Sequence, residues 1–315
     1  MIADEEKGVI MSEAGHCSYS RAMKRVIPFA TLTLAFGCSS PSTQSEPSAS
    51  ASSSASAGGE QALASVRGGS VQALEAVVAG EHRSPENKAR DVYRHPVETL
   101  TFFGLEPDMH VLEIRPGGGW YTEILAPYLR EAGKLTVGVP SAEGRRAKYR
   151  ERFMEMKAAR PEVFSEVNVV TFDPPAPIEL GPDASLDMVL TFRNTHNWIS
   201  DGGEKEAYAA FFDVLRPGGV LGVVQHRAEA GSDAAVTAKT GYVPEAYVIQ
   251  VAEAAGFELV GRSDINRNPM DTHDHPEGVW TLPPVLRLGT TDQARYHEFG
   301  ESDRMTLKFR KPAAP

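Results

Sequence analysis

Cysteine is nearly missing from this chain of 315 residues: Cys17 and Cys38 are the two present, and both precede the first stretch with globular patterning. The folded part therefore holds neither a disulfide framework nor a cysteine-ligated metal site. Positive charge is also short, with 32 Lys and Arg against 42 Asp and Glu and a formal net charge of -10. Such a balance leaves no global electrostatic footprint for nucleic acid, whose phosphates demand a basic face. The apolar run 26–37 falls well short of the ~20 residues that span a bilayer as a helix. What remains is 41% hydrophobic and 23% charged, an ordinary globular composition that supports one sizeable domain with extensions.

Met23, Lys24 and Arg25 precede the apolar run, which ends in Ala35-Phe36-Gly37-Cys38. A basic n-region, a short apolar h-region and a small residue before cysteine make a signal peptide. The sequence around Cys38 resembles a bacterial lipobox. That resemblance implies cleavage before Cys38, acylation of its thiol and, with Ser39 following, anchoring at the periplasmic face of the outer membrane. The alternative is a plain secretory signal with Cys38 incidental, giving a soluble periplasmic or secreted protein. Residues 39–62 are dominated by Ser, Ala, Gly and Gln, a composition that buries no core and reads as a flexible tether. Residues 1–22 fit neither signal nor domain, and translation is read as starting at Met23. The expected organisation is an extension with signal over 1–38, the tether over 39–62, a helical lid over 63–104 and the main domain over 105–315.

Within the main domain, apolar runs without alternation predict buried strands at 109–114, 135–139, 167–172, 187–192, 220–225 and 257–263. Helical patterns separate them at 118–131, 142–159, 205–215 and 244–255. Arg216-Pro217-Gly218-Gly219 reads as the turn closing the third of these helices, and Gly256 as the stop of the fourth. Strands buried on both faces and alternating with helices predict an α/β doubly wound parallel sheet. A seventh strand at 305–309 alternates apolar and polar residues. Placed antiparallel beside the sixth, it separates a methyltransferase sheet from a dinucleotide dehydrogenase sheet.

Val111-Leu112-Glu113-Ile114-Arg115-Pro116-Gly117-Gly118-Gly119 sets an acid and a glycine-rich turn between the first strand and helix. Glycines let backbone approach a ligand and aim amides at it from a helix start; a tight turn that binds nothing is the plainer alternative. This stretch resembles the first motif of class I S-adenosylmethionine-dependent methyltransferases. Trp120 to Leu125 and Arg193-Asn194-Thr195-His196-Asn197-Trp198 resemble a branch of predicted exported methyltransferases. The resemblance implies a Rossmann-like seven-stranded sheet and S-adenosyl-L-methionine as cofactor. It implies Glu113, Gly117, Gly118, Gly119, Tyr121, Asp173 and Arg193 as cofactor-binding residues, with Asp173 accepting from the adenine amino group. Arg115 stands where the family has its first glycine, and Pro140 where it has an acid for the ribose diol; Glu143 is close enough in sequence to reach back.

The fourth predicted strand ends in the polar cluster 193–197, at the sheet rim where open α/β proteins bind ligands. Methyl transfer is an in-line displacement, so a protein must align two reactants and remove a proton from an oxygen or nitrogen nucleophile. His196 is the candidate base, titrating near neutral pH, with Asn194 beside it in the catalytic set. Asn197, Trp198 and His226 form the candidate substrate wall. His196 as a helix-capping histidine, and Asp173 as a solvated turn acid, are the structural alternatives. Asp271-Thr272-His273-Asp274-His275 offers metal-ligand chemistry but lacks a third spaced histidine, so no metal is expected. The expected function is methyl transfer to a small molecule, with membrane contact only through the lipid anchor. The other reading is a cofactor-losing descendant of the fold serving as a binding or scaffold lipoprotein, because the cofactor is made in the cytoplasm.

Overall fold

The computed structural model describes residues 69–313. The signal peptide, Cys38, the tether over 39–62 and the start of the 63–104 segment lie outside the described residues. Eight strands form one sheet: β1 (His110–Ile114), β2 (Lys134–Val139), β3 (Asn168–Phe172), β4 (Ile178–Glu179), β5 (Leu186–Phe192), β6 (Leu215–His226), β7 (Glu258–Ser263) and β8 (Arg304–Arg310). Their order is β4-β3-β2-β1-β5-β6-β8-β7. β1, β2, β3, β5 and β6 pair in parallel, and β8 runs antiparallel between β6 and β7.

Seven of these strands occupy the predicted segments, but the count of seven is corrected to eight. β4 is two residues long and pairs antiparallel with Thr171 and Phe172, too short to leave a pattern. The segment at 216–219 is also corrected, because it lies inside β6. The pairing jumps from Leu186↔Leu215 to Met188↔Val220, and Gly218 at φ 80° absorbs the excess residues as an irregularity of the strand.

Alternation along the strands divides the core between the two faces. Val111, Val137 and Leu190 pack on one face against Leu100 and Phe103 of helix Pro96–Phe103, Ile124 and Leu125 of helix Thr122–Leu129, and Phe153 of helix Ala147–Ala159. Leu112, Val189, Leu221 and Leu307 pack on the other against Trp198 of helix Thr195–Asp201, Tyr208 and Phe211 of helix Glu204–Val214, and Val248 of helix Glu245–Ala254.

The helical segment before β1 is part of this core. Residues 69–79 are helical, and two short helices follow, Pro85–Lys88 and Asp91–Arg94. Ser84 caps the first, its Oγ accepting from the Asn87 amide at 3.2 Å. Phe103 lies so close to β6 that a Cβ on Gly222 would come within 2.8 Å of its ring, which is why the strand carries glycine there. No helix among the described residues is long and apolar enough to cross a membrane.

β1 and β5 are neighbours, and the chain leaves them toward opposite edges of the sheet. Their carboxyl ends therefore flank a crevice at the topological switch point.

Candidate functional site

The turn after β1 is built from residues in the left-handed region: Arg115 (φ 49°), Gly117 (φ 61°) and Gly119 (φ 75°). Gly117 and Gly118 face open space, with nothing within 4 Å of where a Cβ would stand. Both line two cavities that meet at this turn. The larger, of about 860 Å³, extends past Val139 at the end of β2 and Pro140 after it to Tyr149, Phe153 and Met156. The smaller, of about 400 Å³, runs over Glu113, Tyr121, Phe192, Arg193, His196 and His226 toward Trp280 and Arg304.

Most of the residues singled out from sequence converge here. Asn194 and Asn197 line both cavities, and Glu113, Tyr121, Arg193, His196 and His226 line the smaller one. Four do not, and for three of them the structure gives a physical reason. Gly119 is buried, and a Cβ there would meet Met156 Cε at 2.7 Å, so it serves packing under the turn. Trp198 is fully buried, its ring set edge-on to Phe172 and Phe211; it supports the sheet from beneath instead of walling the site. Asp173 lines neither cavity, because its Oδ1 accepts from Arg115 Nη2 at 2.9 Å and Arg146 Nε at 2.6 Å. Its Oδ2 takes the Ser141 amide at 3.3 Å. Glu143 is exposed and lies on neither cavity.

The Arg115 side chain thus reaches from the end of β1 to the end of β3, across the end of β2 that lies between them. It borders the larger cavity without closing it. Burial, then the charge of Arg146, pulls its pKa down to about 10. Asp201 is the one acid on the larger cavity among the described residues, and it is paired with Arg145 and Arg146.

Glu113 is 1% exposed and accepts from Thr122 Oγ1 at 2.7 Å. Burial raises its pKa to about 7 against the opposing pull of that bond and of Arg193. Tyr121 stacks on Phe192 with ring centroids 3.5 Å apart. Asn194 spends its Nδ2 on the carbonyl oxygens of Ile114 at 3.0 Å and Phe192 at 3.3 Å, clasping the ends of β1 and β5 together.

The His196 and His226 rings lie 5.6 Å apart. Gln225 Oε1 accepts from the Thr195 amide at 3.2 Å, so its Nε2 faces Gly241 O at 2.9 Å and His196 Nδ1 at 3.3 Å. The Nδ1 of His196 is then an acceptor, and the neutral ring carries its proton on Nε2. Burial lowers the His196 pKa to about 4. It lowers that of His226 as well, reinforced by His196 and Arg304. His226 Nδ1 sits 2.6 Å from Ser302 Oγ.

Sequence reasoning missed Arg90, Arg94, Glu301, Ser302 and Arg304, all on the smaller cavity. The only available signal was the dense polar stretch Glu301-Ser302-Asp303-Arg304 immediately before an apolar strand. The 271–275 stretch closes on itself, since Asp271 accepts from Tyr242 Oη and from the backbone amides of His273 and Asp303, and sits 2.9 Å from His275 Nε2. No cluster of metal-ligating side chains occurs among the described residues.

The sheet and its flanking helices are shared with several solved structures. The [4+2]-cyclase SpnF is 18% identical, over 75% of this chain and 86% of that one, with a TM-score of 0.52. A putative sarcosine dimethylglycine methyltransferase from Galdieria sulphuraria is 13% identical over 72% and 86%, with a TM-score of 0.49. A SAM dependent methyltransferase from Aquifex aeolicus is 15% identical over 72% and 94%, with a TM-score of 0.47. No family model matches the chain, and neither does any curated protein. At such identities the likeness establishes the fold alone, a Rossmann-like α/β sheet.

Proposed function

We propose that this protein is an S-adenosylmethionine-dependent methyltransferase acting on a small molecule. The observation that carries the reading is the meeting of two cavities at Gly117 and Gly118, where backbone stands open to both at the switch point. The fold alone does not decide the chemistry, since a neighbour of the same architecture is described as a cyclase.

The residues present fit the cofactor unevenly. Its amino-acid end is met by Glu113, Gly117, Gly118 and Tyr121, in keeping with the motif. Its nucleoside end finds an apolar wall in Val139, Phe153 and Met156 with the Tyr149 hydroxyl beside it, but no free carboxylate where the family holds the ribose. Asp201 is the acid nearest that task, and Asp173 is committed to arginines. When bound, the cofactor supplies an electrophilic methyl group on a sulfonium.

The chain's own contribution is placement and proton handling. Asn194 fixes the ends of β1 and β5 and hence the relative position of the two cavities. The proton of an acceptor hydroxyl or amine passes to a histidine that is uncharged at neutral pH. His226 suits this role in the tautomer whose Nδ1 donates to Ser302 Oγ and whose Nε2 keeps its lone pair. His196, with its proton on Nε2, orients the acceptor as a hydrogen-bond donor. Anchoring through Cys38 belongs to the same proposal: Cys38→Ala should abolish incorporation of labelled palmitate and release the chain from the membrane fraction, whereas labelling of the variant would reject the lipobox.

The test is incubation of the full chain with methyl-labelled cofactor and a small-molecule extract of the cell envelope. Label should move to a small molecule in a protein-dependent manner. If the cofactor binds but label never leaves it in any extract, the binding or scaffold reading replaces the enzymatic one.

A further inference from the structure

The smaller cavity holds more positive charge than methyl transfer alone requires. Arg90, Arg94, Arg115, Arg193 and Arg304 line it against two carboxylates, Glu113 and Glu301. Glu301 serves three of the guanidiniums at once: Arg90 Nε at 2.6 Å, Arg94 Nε at 3.1 Å, and Arg304 Nη2. Arg94 and Arg304 are 4% and 2% exposed, and Arg94 Nη1 and Arg304 Nε have no hydrogen-bond partner. Among the described residues none forms a hydrogen bond or ion pair with the Arg193 guanidinium. Taking a cation out of water is costly unless it is paired, and three guanidiniums sharing one carboxylate leave Arg193 and the spare donors uncompensated. Each arginine presses on the others, burial first and then neighbouring guanidiniums lowering the pKa values of Arg94 and Arg193. A bound anion would relieve all of these at once, because the guanidinium fork matches a carboxylate or phosphate with paired hydrogen bonds. Phe192, Val279, Trp280 and Val285 give the same cavity an apolar stretch of wall.

We propose that the smaller cavity is the subsite for an organic acid, its anionic head seated among Arg94, Arg193 and Arg304 and its apolar body lying against Phe192 and Trp280. That this acid is the methyl acceptor rests on the methyltransferase reading; the anion site itself does not. Arg193 is then a substrate residue, not the cofactor residue implied by the resemblance. The head group sits on the Glu301 side of the cavity, and the two histidines and the glycine turn lie within the same space, so the acid's nucleophilic atom would face them.

Calorimetric titration of the full chain with benzoate and with benzamide, which share shape and differ in charge, tests the assignment. Each is titrated alone and in the presence of saturating S-adenosylhomocysteine. Benzoate should bind at least tenfold more tightly than benzamide in both settings, and inorganic phosphate should displace it. Arg193→Met should reduce the preference to threefold or less while S-adenosylhomocysteine affinity stays within threefold. Equal binding of the two probes, or no benzoate binding at millimolar concentration, overturns the proposal. Competition between benzoate and S-adenosylhomocysteine also overturns it, assigning the arginines to the cofactor's own carboxylate. Benzoate binding without any S-adenosylhomocysteine binding leaves the anion site standing and removes the methyltransferase reading instead.

Discussion

Adjacent glycines in the turn after β1 should respond to the same substitution in opposite ways. Gly118 has ordinary backbone geometry and open space where a Cβ would stand. Gly118→Ala should therefore leave stability unchanged or raise it by up to about 1 kcal/mol, by restricting the unfolded chain. The added methyl group projects into the junction of the two cavities, where overpacking against a ligand costs roughly 1–3 kcal/mol. Since about 1.4 kcal/mol is tenfold, S-adenosylhomocysteine affinity should fall between about fivefold and a hundredfold or somewhat more. Gly119 lies at φ 75° beneath Met156. Gly119→Ala meets a left-handed penalty of about 1–2 kcal/mol plus displacement of that methionine, which appears as a loss of several degrees in melting temperature, with affinity largely retained. Thermal melts and calorimetric titration of the two variants, run side by side, read both effects. Loss of stability without loss of affinity in Gly118→Ala would refute the argument, because it would show that the turn packs against protein and not against a ligand.

Asp173→Asn should destabilise the protein by about 2 kcal/mol in urea unfolding, since it strands the Arg115 guanidinium while Arg146 keeps Asp201. A change below about 0.5 kcal/mol would return Asp173 to the list of free ligand acceptors. The folded-state pKa of Glu113 is raised from 4.5 to about 7. Relative to Glu113→Gln, the wild type should therefore lose stability as pH rises from about 4.5 to 7, by up to about 3 kcal/mol. His196 is depressed from 6.5 to about 4, so relative to His196→Gln the wild type should lose stability as pH falls from 6.5 to 4, again by up to about 3 kcal/mol. Two difference curves of the same slope would contradict burial as the cause of either shift.

The sheet was legible because residues such as Val111, Leu112, Val189 and Leu190 are apolar on both faces of a buried strand. β4 was not, because two residues held by Thr171 and Phe172 leave no periodicity. Gly218 looked like turn chemistry for a good local reason, its left-handed φ, but the neighbouring β5 recruits the segment into a strand. In the site, the rim cluster 193–197 was found from strand polarity, yet which way a residue points from the short helix Thr195–Asp201 was not. Trp198 turned inward to Phe172 and Phe211 for that reason. The pairing of Asp173 was not legible because its partners Arg115 and Arg146 stand far away in sequence. The arginine cluster escaped for the same cause, since Glu301 meets Arg90 and Arg94 across more than 200 positions. A net charge of -10 describes the whole surface and conceals a basic interior cavity.

The most direct test of the account is calorimetric titration of the purified full chain with S-adenosylhomocysteine. Binding with a dissociation constant on the order of micromolar, about -8 kcal/mol, is the expected result. Absence of heat, together with an unchanged melting temperature at millimolar ligand, would contradict it. In that case the two cavities serve another ligand, and the Rossmann-like fold another purpose.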